Sequence, residues 1–250
     1  SFRLISLLIL LTAPAALTVF AESKTELARQ AISLNAAESA EAVKTLRSMG
    51  REGLDALFVT YAAEIEKFRA TNEATEEWKR IAAALDAVAA QKDAYAARLF
   101  WHTDLEEAKK QADASNKPIL SLRLLGNLTE EFSCANSRLF RAVLYPNAEI
   151  SKYLSENYIL HWRSVRPVPR VTIDFGDGRK IERTLTGNSI HYILDEEGEI
   201  IEALPGLYSP KSFLKYLTQG RQVSKIIDGL PQAQKEMALL RYRRTAFNEI

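Results

Sequence analysis

Between Lys24 and Ala97, apolar residues recur at three- and four-residue spacing against a background of Ala, Glu and Lys, without a proline. That period predicts a run of amphipathic helices. Leu27, Ala31 and Leu34 form one stripe, and Ala42, Leu46 and Met49 a second. Leu54, Leu57, Phe58, Tyr61, Ile65 and Phe68 form a third, and Trp78, Ile81, Ala82, Leu85 and Val88 a fourth. Gly50 and Gly53 mark a break between helices. At Arg98 the pattern changes. A short helix over 106–114, with Thr103 or Asp104 as its N-cap, precedes the strand-like run Ile119 to Leu125. Helices follow from Cys134 to Leu144 and from Ala148 to Ser155, then a strand from Tyr158 to Val165. Two hairpins come next. Val171 to Phe175 pairs with Lys180 to Leu185 around Gly176-Asp177-Gly178, and Ile190 to Leu194 pairs with Glu199 to Ala203. A helix over Pro210 to Gln219 and a basic amphipathic helix over 232–247 complete the pattern.

The first 21 residues read differently. Arg3 precedes the aliphatic run Leu4 to Leu11, Pro14 breaks it, and Val19-Phe20-Ala21 suits a cleavage site. This is the anatomy of a secretory signal peptide, with a retained membrane anchor as the alternative. Export to the periplasm or beyond is therefore expected, with no stable membrane insertion after cleavage. The opening on Ser1 and the absence of a clear cap at Ile250 suggest a trimmed chain. The formal net charge of +1, from Lys+Arg 33 against Asp+Glu 32, gives no general drive toward nucleic acid.

Export sharpens the meaning of the cysteine count, which is one: Cys134. A single thiol in an oxidising compartment is buried and inert, paired between chains, or reactive. His102, His161 and His191 share no metal-ligand spacing with Cys134 or with each other. His161 and His191 fall on predicted strands and read as core or surface histidines. Asp174 to Gly178 lacks the spaced carboxylates of a calcium loop and reads as a turn. No phosphate-cradling glycine loop or serine elbow appears, and no cofactor is implied.

The order helix, Lys117-Pro118, strand, cysteine at a helix start, helix, strand, hairpin and closing helix resembles thioredoxin-like folds. Asp104 to Ala108 and Asn116 to Leu120 are similar to the opening of exported thioredoxin-like domains. They are also similar to the thioredoxin-like domain of spermatogenesis-associated protein 20-type proteins. The second likeness continues through Tyr145, Glu149-Ile150, Asn157-Tyr158-Ile159, Leu194 to Gly198 and Leu204-Pro205-Gly206. The blocks Ser133–Arg138, Ser164–Pro169, Phe175–Gly178 and Thr186–Tyr192 resemble a bacterial subgroup of thioredoxin-like proteins. The likeness spans about half the chain, from Leu99 to Leu217.

Pattern and resemblance together give an α/β fold in four segments: a signal peptide over 1–21, a helical region over 22–97 and a C-terminal helix over 221–250 from the pattern, and a thioredoxin-like domain over 98–220 from the resemblance. The resemblance also implies that Cys134 occupies the nucleophile position of the active-site motif. There the helix amides and Arg138 would favour the thiolate. Two departures stand out. Ser137 replaces the resolving cysteine, so the motif is Cys-Ala-Asn-Ser. The position of the family's cis-proline falls on Ser189, after Asn188, and a non-proline cis bond costs about 2.5–4 kcal/mol, so a trans bond is expected. Cys134 and Ser137 are the candidate catalytic pair, and Arg138, Asn188 and Ser189 the candidate substrate contacts, with Thr186 and Arg166 nearby. Two readings follow. One is a single-thiol oxidoreductase forming mixed disulfides with a protein or small thiol. The other is a redox-inactive protein-interaction module of the cell envelope. An exposed sulfur at the helix start favours the first, a buried one the second.

Overall fold

A computed structural model describes residues 23–248. The segment read as a signal peptide lies outside them. The chain divides into two compact units between Val88 and Ala89.

The first unit is helical: α1 (23–30), α2 (Ala36–Ser48), α3 (Arg51–Thr60), α4 (Ala62–Thr71) and α5 (Glu76–Ala89), which runs to the division. Leu46, Leu54, Leu57, Ile81, Leu85 and Val88 are fully buried, as the stripes predict. Two details differ from the sequence pattern. Leu34 is 86% exposed, because α1 has already ended and Asn35 begins α2 as its N-cap. Gly53 lies inside α3 rather than at a break, and a Cβ there would sit 1.9 Å from the Leu46 carbonyl oxygen. Glycine is what lets α2 and α3 cross so closely. Gly50, at φ +65°, makes the turn between them. Among the described residues, no helix is long and apolar enough to cross a membrane.

The second unit is α/β. After α6 (Ala94–Ala97) come β1 (Trp101–His102), α7 (Leu105–Ser115), β2 (Ile119–Leu125) and α8 (Ala135–Leu139). A π-helical turn, Phe140–Leu144, prolongs α8. Then follow α9 (Ala148–Asn157), β3 (Ile159–Arg166), β4 (Arg170–Asp174), β5 (Lys180–Thr184), β6 (Ser189–Leu194) and β7 (Ile200–Pro205). Two helices, α10 (Pro210–Ile227) and α11 (Gln232–Asn248), complete it. The main sheet has the order β1-β3-β2-β6-β7, with β1, β3 and β2 parallel and β6 and β7 antiparallel. β4 and β5 form a separate antiparallel hairpin.

The second unit starts earlier than the change of pattern at Arg98 because its core holds residues 90–93. Trp162 Nε1 donates to the Ala90 carbonyl at 2.8 Å, and Trp101 Nε1 to Gln91 Oε1 at 2.7 Å. Arg141, 4% exposed, pairs with Asp93 at 2.8 Å. At the other end α10 passes Gln219 and continues to Ile227. Its apolar face persists through Val223 and Ile227, which outweighs the cost of Gly220, about 1 kcal/mol in a helix interior. Gly220 also gives room to Ile193, whose Cδ1 would lie 2.3 Å from a Cβ there.

Candidate functional site

Cys134 stands at the N-terminus of α8. Its amide donates to the Leu125 carbonyl at 3.1 Å, tying the helix start to the end of β2. With φ −61° and ψ 157°, it is the N-cap residue, and its sulfur accepts from the Ser137 amide at 3.5 Å. The thiol in turn donates to Ser137 Oγ at 3.4 Å. Ser137 Oγ also lies 2.7 Å from Ser133 Oγ and 2.8 Å from the Cys134 carbonyl. A sulfur thus does what Ser, Thr, Asp or Asn does at most helix starts, satisfying one of the free amides.

The segment 184–189 closes over this helix start. Ala135 N donates to the Thr186 carbonyl at 3.0 Å, Thr184 Oγ1 to the Ser133 carbonyl at 3.1 Å, and Asn136 Nδ2 to Ser189 Oγ at 3.1 Å. Cys134, Ser133 and Ser137 are each 0% exposed. Of the two arrangements weighed for the thiol, exposed or buried at the helix start, the structure has the buried one. The sulfur is covered, and the amides of Ala135 and Ser137 already have acceptors.

The other candidates divide. Ser189 joins the cluster through Asn136, and no peptide bond among the described residues is cis, as expected for Asn188-Ser189. Thr186 contributes its carbonyl, while its hydroxyl is buried without a partner. Arg138 is half-buried, and its Nε has no partner. Asn188 is exposed and its side chain bonds to none of the described residues. Arg166 is also exposed, its side chain bonds to none of the described residues, and its carbonyl accepts from Gly126 N at 2.9 Å and Ser164 Oγ at 3.4 Å. The side chains of Arg138, Asn188 and Arg166 make no hydrogen bond to the sulfur, and the Arg138 amide donates to the Cys134 carbonyl at 3.2 Å.

Two residues missing from the candidate set lie deeper. Tyr145 Oη is 2.8 Å from His191 Nε2, and both side chains are buried. Burial lifts the Tyr145 phenol well above its usual range, with Cys134 a smaller cause, and burial pushes the His191 imidazole down to about 3. A protonated phenol donates, so Nε2 accepts and Nδ1 carries the ring proton. Nδ1 has no polar partner, and the rings of Phe140 and Phe213 lie 4.7 and 5.0 Å from the imidazole. His161 is likewise buried in β3, with Nδ1 2.8 Å from Ser121 Oγ. Both are core histidines. Among the described residues, no group of three or more His, Cys, Asp or Glu is placed to hold a metal ion.

Gly187 is the position on which the closed arrangement turns. A Cβ there would sit 2.3 Å from Asn136 Oδ1. Gly187→Ala is expected to destabilise the second unit by about 1–3 kcal/mol, the usual cost of overpacking. A lower urea midpoint together with faster alkylation of Cys134 checks it.

No family model, curated protein or solved structure matches this chain.

Proposed function

We propose that this chain is an exported thioredoxin-like protein of the cell envelope that works as a protein-binding module, with Cys134 redox-silent. The burial of Cys134 at 0% exposure carries the reading. Three features support the fold assignment. The sheet order is β1-β3-β2-β6-β7, two antiparallel strands follow three parallel ones, and the cysteine caps the helix after β2. Export rests on the aliphatic run and Pro14 near the N-terminus. Thiol-disulfide exchange needs a thiolate in line with a disulfide sulfur, and a fully covered thiol offers no such approach.

The surface best suited to a partner is the β4–β5 hairpin. Its polar face is turned toward the body of the unit. Arg170 pairs with Glu182 at 3.2 Å and Glu130 at 4.0 Å, and Thr184 bonds the Ser133 carbonyl. Strand alternation puts Ile173, Phe175, Ile181 and Leu185 on the opposite face. Ile173, Phe175 and Leu185 are 46%, 49% and 64% exposed. Arg183 shares that face, and its guanidinium bonds only the Glu182 carbonyl among the described residues. The partner this face fits is a protein segment carrying apolar side chains and a carboxylate. A second copy would bring arginine against arginine.

Iodoacetamide labelling of the native chain tests the redox reading. Cys134 should react at least about a hundredfold more slowly than in the denatured chain, as for a group that reacts only through opening. Rapid native labelling returns the single-thiol oxidoreductase. A photocrosslinking residue at Phe175 should give one heterologous adduct, lost in Arg183→Glu and absent when the crosslinker sits at Asn188. An adduct between two copies of this chain would overturn the stated partner.

A further inference from the structure

The hairpin occupies the connection between β3 and β6, and α7 packs against one face of the main sheet. Ala108 and Ala112 of α7 pack there on Ile119 and Leu194, with Ile159 and Tyr192 alongside. Beyond that contact the same face becomes polar. Strand register sets His102, His161, Ser121 and Tyr192 in one row across β1, β3, β2 and β6. One step on, Arg123 of β2 and Arg163 of β3 are direct cross-strand neighbours. Arg163 is exposed, Arg123 half-buried, and Val165 beyond them is 65% exposed.

Like charges placed directly across two strands oppose sheet formation. Burial lowers the affinity of the Arg123 guanidinium for its proton, and the charge of Arg163 lowers it further. Neither guanidinium has an ion pair or hydrogen bond among the described residues. The carboxylate whose charge reaches this row is Asp104, and its Oδ1 is engaged as the N-cap of α7, accepting from Glu107 N at 2.9 Å. His161 is fixed through Nδ1 by Ser121, which leaves its Nε2 without a protein partner among the described residues. The sheet holds two adjacent cations with no anion of its own to neutralise them.

We propose that Arg123 and Arg163 bind a phosphate-type dianion on this open sheet face, with His161 and His102 beneath it. A dianion neutralises both guanidiniums, whereas a monocarboxylate leaves one charge uncompensated, and planar guanidiniums suit the tetrahedral oxygens. The site is separate from the Cys134 cluster and stands whether or not that cluster is redox-silent.

Titration of the full chain with inorganic phosphate at constant ionic strength tests it, followed by the guanidinium 15Nε resonances of both arginines. Saturating shifts at Arg123 and Arg163 are expected, with acetate giving none. Arg123→Gln and Arg163→Gln should each weaken binding by about tenfold or more, while Arg183→Gln leaves it unchanged. In phosphate-free buffer the same two variants should melt no lower than the parent, because they relieve repulsion. Binding to phosphatidate vesicles that is lost in both variants would support the same site with a lipid headgroup as its source. Shifts that never saturate, or equal weakening by Arg183→Gln, would overturn the site.

Discussion

Between pH 7 and pH 5 the second unit should lose about 3–4 kcal/mol of stability through two histidines. His191 and His161 are each 1% exposed, and burial is the leading cause that pushes their imidazoles down to about 3 and about 4. For His161 the nearby charges of Arg123 and His102 add to that effect. In the unfolded chain both titrate near 6.5. Above that pH both states are neutral and nothing is lost. Below it the unfolded chain takes up protons that the folded chain refuses, so stability falls by about 1.4 kcal/mol per pH unit for each histidine. The fall from His161 ends near pH 4 and that from His191 near pH 3. Urea unfolding across this range, monitored by Trp101 and Trp162 fluorescence, measures the slope. His191→Gln keeps an acceptor for the Tyr145 phenol and removes one titration, so it should roughly halve the slope. An unchanged slope in that variant would disprove the assignment.

Asp195→Ala should cost about 3–5 kcal/mol, the typical result of stripping one partner from a buried ion pair. Lys235 Nζ lies 2.5 Å from Asp195 Oδ2 and 3.0 Å from Glu197, with side-chain exposures of 10% for Lys235 and 1% for Asp195. Burial alone would lower the lysine's affinity for its proton, but hydrogen bonds to both carboxylates raise it well above the usual range. Asp195 Oδ1 also accepts from Glu199 N at 2.7 Å, holding the β6–β7 turn. The pair therefore fastens α11 to the edge strand β7, where Tyr242 donates to Glu202 and Arg243 to the Ile200 carbonyl, each at 2.7 Å. Amide exchange should quicken across 232–245 and along β7 in the variant. Replacing both partners, Asp195→Asn with Lys235→Met, should recover most of the loss, because the amide oxygen still accepts from Glu199 N and no buried charge is left alone. If the double variant is as unstable as the single, the ion pair is not the cause.

Much of the framework was legible along the chain. Both hairpins appear where Gly176 to Gly178 and Asp195 to Gly198 turn the chain, because these turns depend on local backbone geometry. The first-unit stripes are buried where helices persist, and the pattern failed at Leu34, where one had ended. The continuation of α10 past Gln219 was harder to read. A glycine at 220 looks like a stop until Ile193 is seen to need the space.

The site was half legible. Cys134 at a helix start and Ser137 within reach of it follow from spacing. The side chains of Arg138 and Asn188 bond to neither of them, because neither direction nor burial is encoded in a short motif. The polar alternation Ser121, Arg123 in β2 and His161, Arg163 in β3 is visible in the sequence. Which of these residues face each other depends on the register of two strands separated by α8 and α9.

The sequence by itself determined most of the elements, the α/β class of the second unit and the placing of its one thiol at a helix start. These are set by periodicity, turn chemistry and capping, which act over a few residues. Only the tertiary structure decided that Cys134 is covered by residues 184–189 and that Arg123 and Arg163 share an open face. Both depend on segments far apart in the chain meeting in one register, and on the backbone room Gly187 leaves beside Asn136.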